Sequence, residues 1–136
     1  MMDRKKEEKI KVLYVEPNKL PTEMIIDNTL EKKQELVGGY IQCACLLDDD
    51  TVSLICNEEG KLDGLPLNRD IGYDIIAGPF IIVGDDFENG EFISLTDAQI
   101  EKYKKRFEKE SIAETEKKVV DLLFKRNNKK DKEIDY

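Results

Sequence analysis

The sequence predicts an α+β domain: an antiparallel or mixed sheet of about five or six strands, with helices packed on one face and a helical extension at the C-terminus. Three observations carry this expectation. Short runs of β-branched and aromatic residues recur between turn signals from Ile10 to Leu95. The pattern then switches to apolar residues three and four apart, at Ile100, Tyr103 and Phe107. Finally, Thr96 with Gln99 and Ser111 with Glu114 form two capping boxes, each marking a helix start.

Ile10-Lys-Val-Leu-Tyr-Val-Glu16 is apolar on both faces apart from Lys11, the mark of an interior strand. Pro17-Asn18 turns the chain, and Glu23-Met-Ile-Ile26 returns as a second strand. Asn28 or Thr29 caps a helix carrying Leu30, Leu36 and Val37, which Gly38-Gly39 ends. Tyr40 to Leu47 and Thr51 to Cys56 form a hairpin across the acidic turn Asp48-Asp49-Asp50. Tyr73 to Ile76 is a short helix or strand, stopped by Gly78-Pro79. Phe80-Ile-Ile-Val83 is a buried strand, joined through the hairpin signal Asn89-Gly90 to a partner from Phe92 to Leu95. The domain boundaries expected are a charged lead-in over 1–9, the domain over 10–104, an amphipathic helix over 105–126 and a disordered charged tail over 127–136. Ile112, Val119, Val120, Leu123 and Phe124 supply the apolar stripe of that last helix.

Charge is distributed unevenly. The chain has 30 acidic and 22 basic residues, for a net charge of −8. From Gly38 to Glu101 fourteen acidic residues face two cations, Lys61 and Arg69. A body this acidic repels phosphate backbones, so direct nucleic-acid binding by the folded domain is not expected, whereas basic protein partners are favoured. There is no histidine, which removes Ser-His-Asp and Cys-His catalysis. With no apolar leader and no run near the roughly 20 residues a membrane helix needs, the expected setting is the cytoplasm of a bacterial host, without a membrane role.

The stretch Asn57-Glu-Glu-Gly-Lys-Leu-Asp-Gly-Leu-Pro-Leu-Asn-Arg69 is turn-rich yet carries three leucines, so it reads as a shaped loop with buried anchors. Together with Val37-Gly-Gly-Tyr-Ile41, Ile76-Ala-Gly78, Ile82-Val-Gly84 and Ser94-Leu-Thr96, it resembles a small bacterial family of uncharacterised domains carried by phages, plasmids and conjugative elements. The resemblance covers residues 10 to about 104. It implies a genomic setting rather than an activity.

Lys61 and Arg69 are the candidate ligand-binding cations, with Asn57, Glu58, Glu59 and Asn68 beside them. They suit an anion clamp, the planar Arg69 fork beside the Lys61 point charge, or else they brace the loop against its own carboxylates. Asp48, Asp49, Asp50, Asp85, Asp86 and Glu88 form the candidate acidic surface for a partner. No metal or cofactor is expected. Cys43, Cys45 and Cys56 supply three sulfurs without an imidazole and read as core packing. The calcium-loop start at Asp85 fails at Phe87 and Thr96, where ligands are required. The expected function is a non-enzymatic binding protein that acts on a host protein, a nucleic-acid-handling one being a fitting target, in counter-defence or host takeover. The alternative is a small-molecule binder that sequesters a nucleotide-type anion in a pocket closed by residues 57–69.

Overall fold

The computed structural model describes residues 8–46 and 48–108. Leu47, the second capping box at Ser111, the part of the expected 105–126 helix beyond 108, the tail and most of the lead-in lie outside the described residues. Ten elements follow in order: β1 (Lys9–Val15), β2 (Thr22–Asp27), α1 (Leu30–Val37), β3 (Ile41–Leu46), β4 (Asp49–Asn57), β5 (Leu67–Asp70), β6 (Ile75–Ala77), β7 (Phe80–Asp86), β8 (Glu91–Ile93) and α2 (Asp97–Glu108).

The fold is α+β. Six strands form the main sheet in the order β2-β1-β7-β4-β3, and β8 pairs with the far end of β7. All described pairings are antiparallel. The sequence allowed a mixed sheet as well; here the long crossover through α1 joins the opposite edges, β2 and β3, rather than sheet neighbours, and every neighbouring pair described is antiparallel. β7 lies at the centre because Phe80, Ile81, Ile82 and Val83 are apolar on both faces, and all four are fully buried. Register sets the two faces: Leu13, Ile82 and Leu54 stand in one row, Tyr14, Ile81 and Ile55 in the next.

Those two rows correct the expectation that the helices share a face. Ile100, Tyr103 and Phe107 of α2 pack with Leu13, Val15, Leu54 and Ile82. Leu36 of α1 packs on the opposite side, against the cluster of Ile10, Val12, Ile55, Ile81 and Val83. A sheet whose interior strands are apolar on both faces needs a cover on each. The cysteine expectation also changes. Cys56, on β4, is buried, but Cys43 and Cys45 are exposed because β3 is an edge strand with a register shift after Ala44.

Local chemistry explains the helix ends. Thr29 caps α1 by accepting from the Lys32 N–H (3.1 Å), and Gly38 ends it in the left-handed region at φ +82°. At α2 the capping box forms as expected: the Gln99 N–H donates to Thr96 Oγ1 (3.1 Å) and the Thr96 N–H donates to Gln99 Oε1 (2.8 Å). Immediately before it, Ser94 Oγ accepts from the Lys11 N–H (2.9 Å) and the Leu95 N–H donates to the Lys11 carbonyl (2.9 Å). Those two bonds fasten the start of α2 to β1. The turn at Asn89-Gly90 is a four-residue connection, since Asp86 pairs with Glu91.

α2 runs through residue 104 to Glu108, and Phe107 meets Phe80 edge-on with ring centroids 5.3 Å apart. Phe107→Ala is expected to lower unfolding free energy by about 3–5 kcal/mol, the usual cost of emptying a buried aromatic site. Leu62→Ala, at a position 86% exposed, should stay within about 0.5 kcal/mol. Urea unfolding of both variants checks the pair.

Candidate functional site

The shaped loop is the strut between the two sheets. Asn57, at the end of β4, is buried; its Nδ2 donates to the Val37 carbonyl (3.2 Å) and its Oδ1 accepts from the Glu59 N–H (2.8 Å). This clasps the loop to the end of α1. Gly60 follows because a Cβ there would stand 2.5 Å from the Ala77 carbonyl oxygen. The Leu65 N–H donates to the Gly60 carbonyl and the Gly78 N–H to the Pro66 carbonyl, so the chain enters β5 already anchored to β6. Asn68 is fully buried, and its Nδ2 donates to the Val15 carbonyl (2.8 Å) and the Gly78 carbonyl (2.9 Å).

Arg69 is the main surprise. It is 2% exposed, and its guanidinium is directed at the protein interior. Nε donates to the Phe107 carbonyl (2.9 Å), Nη1 to Asn68 Oδ1 (2.9 Å) and Nη2 to the Lys19 carbonyl (2.7 Å). Lys61 lies elsewhere, half-exposed and paired with Asp74 Oδ1. The two cations are not brought together as a clamp: Arg69 holds the backbone and Lys61 sits at a cleft.

That cleft measures about 340 Å³ and is lined by Gln42, Cys56, Asn57, Glu58, Glu59, Lys61 and Asp74, among others. Four of the six candidate residues in the loop therefore converge on it, while Asn68 and Arg69 do not. Glu58 and Glu59 are exposed. Burial pushes the Cys56 thiol up to about 11, so it stands there as a neutral thiol near neutral pH.

The acidic candidates meet at one end of the main sheet. Val52 of β4 pairs with Gly84 of β7, so the turn before β4 lies beside the residues that follow Gly84. Ser53 Oγ donates to Asp85 Oδ2 (2.6 Å) across this junction. The six carboxylates do not share one role, however. Asp49 accepts from Thr51 Oγ1 (2.5 Å), Tyr103 Oη (2.5 Å) and Lys102 Nζ (3.2 Å). Burial alone would raise its carboxyl, but the bonds from Thr51, Tyr103 and Lys102 outweigh that and hold it well below the usual carboxylate range. Burial and the same Asp49 bond push the Tyr103 hydroxyl well above its ordinary value. Asp48 faces Arg106 (3.5 Å), and Asp86 accepts from Asn89 Nδ2 (2.8 Å) within its own turn. Asp50 and Glu88 are exposed and make no ion pair among the described residues.

Three contributors were missed in the sequence. Asp74, which holds Lys61, lies in a segment read there only as a short helix or strand. Tyr103 was assigned to packing, and its hydroxyl partner on β4 is 54 residues away. Lys33 is buried, with Nζ donating to Asn28 Oδ1 (2.7 Å) and lying 5.2 Å from the Phe92 ring centre. Its place four residues before Val37 on the inner side of α1 was the available signal.

Fold and site define a small acidic α+β domain in which a braced loop frames a cleft beside an edge strand. The chain belongs to the family described as Domain of unknown function (DUF3846), which it matches over residues 10–108. Comparison with curated proteins and with solved structures finds no match.

Two outcomes follow from this geometry. Arg69→Lys is expected to cost about 1.5–3 kcal/mol for each charged hydrogen bond lost, against about 0–1 kcal/mol for Lys61→Ala at its exposed pair, both measured by chemical denaturation. The Asp49 carboxyl lies lower in the folded chain than its unfolded value of about 3.9, so its contribution is complete above that pH and is lost as pH falls toward the folded value. Wild type should therefore lose thermal stability between about pH 5 and about pH 3 more steeply than Asp49→Asn, which starts lower at neutral pH. Parallel acid slopes in calorimetry would contradict this.

Proposed function

We propose that this is a non-enzymatic binding protein, carried by a phage or mobile element, that docks a basic host protein in counter-defence or host takeover. The observation that carries the reading is the convergence of two acidic turns at one end of the sheet, with Asp50 and Glu88 exposed and unpaired among the described residues. Such a surface steers and orients a cationic partner. A host protein that handles nucleic acid fits this chemistry, because its own binding surface is basic. The absence of histidine and the raised Cys56 thiol support a non-catalytic role. The phage or mobile-element setting rests on the resemblance of the loop signature.

The alternative, a nucleotide-type anion held over residues 57–69, has less support. Of its two cations, Lys61 is engaged by Asp74 and Arg69 is committed to carbonyls. Glu58 and Glu59 on the same cleft would repel phosphate.

The test is capture from a bacterial lysate by wild type and by a variant carrying Asp50→Asn, Asp85→Asn, Asp86→Asn and Glu88→Gln, with Asp49 left intact as a structural group. Basic proteins should be retained by wild type at about 0.1 M salt, released toward 1 M, and lost with the variant. Capture that ignores both salt and the substitutions would overturn the reading, and a thermal shift with nucleotides would favour the alternative.

A further inference from the structure

β3 is the last strand on its side of the sheet, and among the described residues no strand pairs with its outer side. The Glu58 N–H donates to the Tyr40 carbonyl (2.8 Å). Backbone groups alternate in direction along an antiparallel strand. Tyr40, Gln42 and Ala44 therefore face β4, while Ile41 and Cys43 turn their N–H and C=O groups outward. The Tyr73 hydroxyl donates to the Cys45 carbonyl (2.7 Å), closing the edge just beyond them. The open stretch is short and has a defined end. Backbone groups presented in this way are a template for an added strand.

The cleft lies on the Gln42 side of that edge. A residue of an added strand opposite Gln42 shares its face, and Gln42 lines the cleft with Glu58, Glu59 and Asp74. Lys61 answers Asp74, but Glu58 and Glu59 make no ion pair among the described residues. The buried Cys56 and Ile76 also line the cleft. A lysine or arginine side chain matches both features, laying its aliphatic stem on the apolar lining and its charge at the carboxylates.

We propose that residues 41–43 of β3 and the cleft beside them receive an extended segment of a basic protein, paired to the strand edge, with a lysine or arginine opposite Gln42. This rests on the reading of the chain as a binder of basic proteins and places the point where such a partner adds its chain.

The experiment titrates isotope-labelled full-length protein with a capped hexapeptide that alternates valine with lysine and arginine. Expected are chemical-shift changes at Ile41, Gln42, Cys43, Glu58 and Glu59, and slower amide exchange at Ile41 and Cys43. Binding should weaken about five- to tenfold in a Glu58→Gln/Glu59→Gln variant that melts like wild type. The same peptide N-methylated at alternate residues keeps its charge, loses its donors and should fail to slow exchange. If the basic protein captured from lysate binds but the hexapeptide leaves residues 41–43 unshifted, or shifts only 48–50 and 85–88, strand addition is overturned while the basic-partner reading stands. If neither binds, both fall. A dimer formed through β3 that excludes the peptide assigns the edge to a second copy and overturns the proposal.

Discussion

A guanidinium removed from water must have its N–H groups answered by the protein, and at Arg69 that demand organises the molecule. Its partners are the carbonyls of Lys19 and Phe107 and the side chain of Asn68, which come from the β1–β2 connection, α2 and β5. Three segments far apart in sequence are thereby held at one point. Through the Phe107 carbonyl the guanidinium ties β5 to α2, and a charged donor on a carbonyl makes a stronger bond than a neutral one. Asn68 extends the same network to Val15 and Gly78 and so binds the small β5–β6 sheet onto the large one.

The carboxylates divide along the same line between inside and outside. Asp49 is turned inward to Thr51, Lys102 and Tyr103 and helps to hold α2 on the sheet. Asp50, one residue later on an alternating strand, points the other way into water. An acidic run that looks uniform as text thus contains three different groups: Asp49 turned into the fold, Asp48 facing Arg106 on α2, and Asp50 exposed. The same separation applies to the loop. Asn57, Gly60 and Asn68 hold the backbone, while Glu58, Glu59 and Lys61 stand at the cleft.

Most of the fold was legible because it follows from local pattern. The strands have β-branched runs, α1 has Thr29 and Gly38, and α2 has its capping box, all signals within a few residues of one another. The placement of the helices on opposite faces was not legible, since it depends on the register that rows Leu13 with Ile82 and Tyr14 with Ile81 across 69 and 67 positions. Cys43 and Cys45 were misread for a related reason: an edge strand and an interior strand share composition, and position in the sheet decides their burial. At the candidate site, the loop and its unusual cations stood out in the text, but their roles did not. Nothing local distinguishes an arginine that grips a ligand from one that grips carbonyls at Lys19 and Phe107.

The central position of β7 has a consequence for how the chain acquires its structure. β1 and β2 form one hairpin, β3 and β4 another, and neither pair touches the other in the sheet order without β7 between them. Isolated two-stranded hairpins are marginal in water. The first half of the chain therefore stays short of a stable sheet until Phe80 to Asp86 arrives and joins both hairpins at once. Assembly is governed by contacts of long sequence separation, which slows folding relative to a helical domain of equal size. During synthesis, β1 to β4 emerge before the strand that joins them, so their apolar residues have no complete sheet to enter until β7 follows.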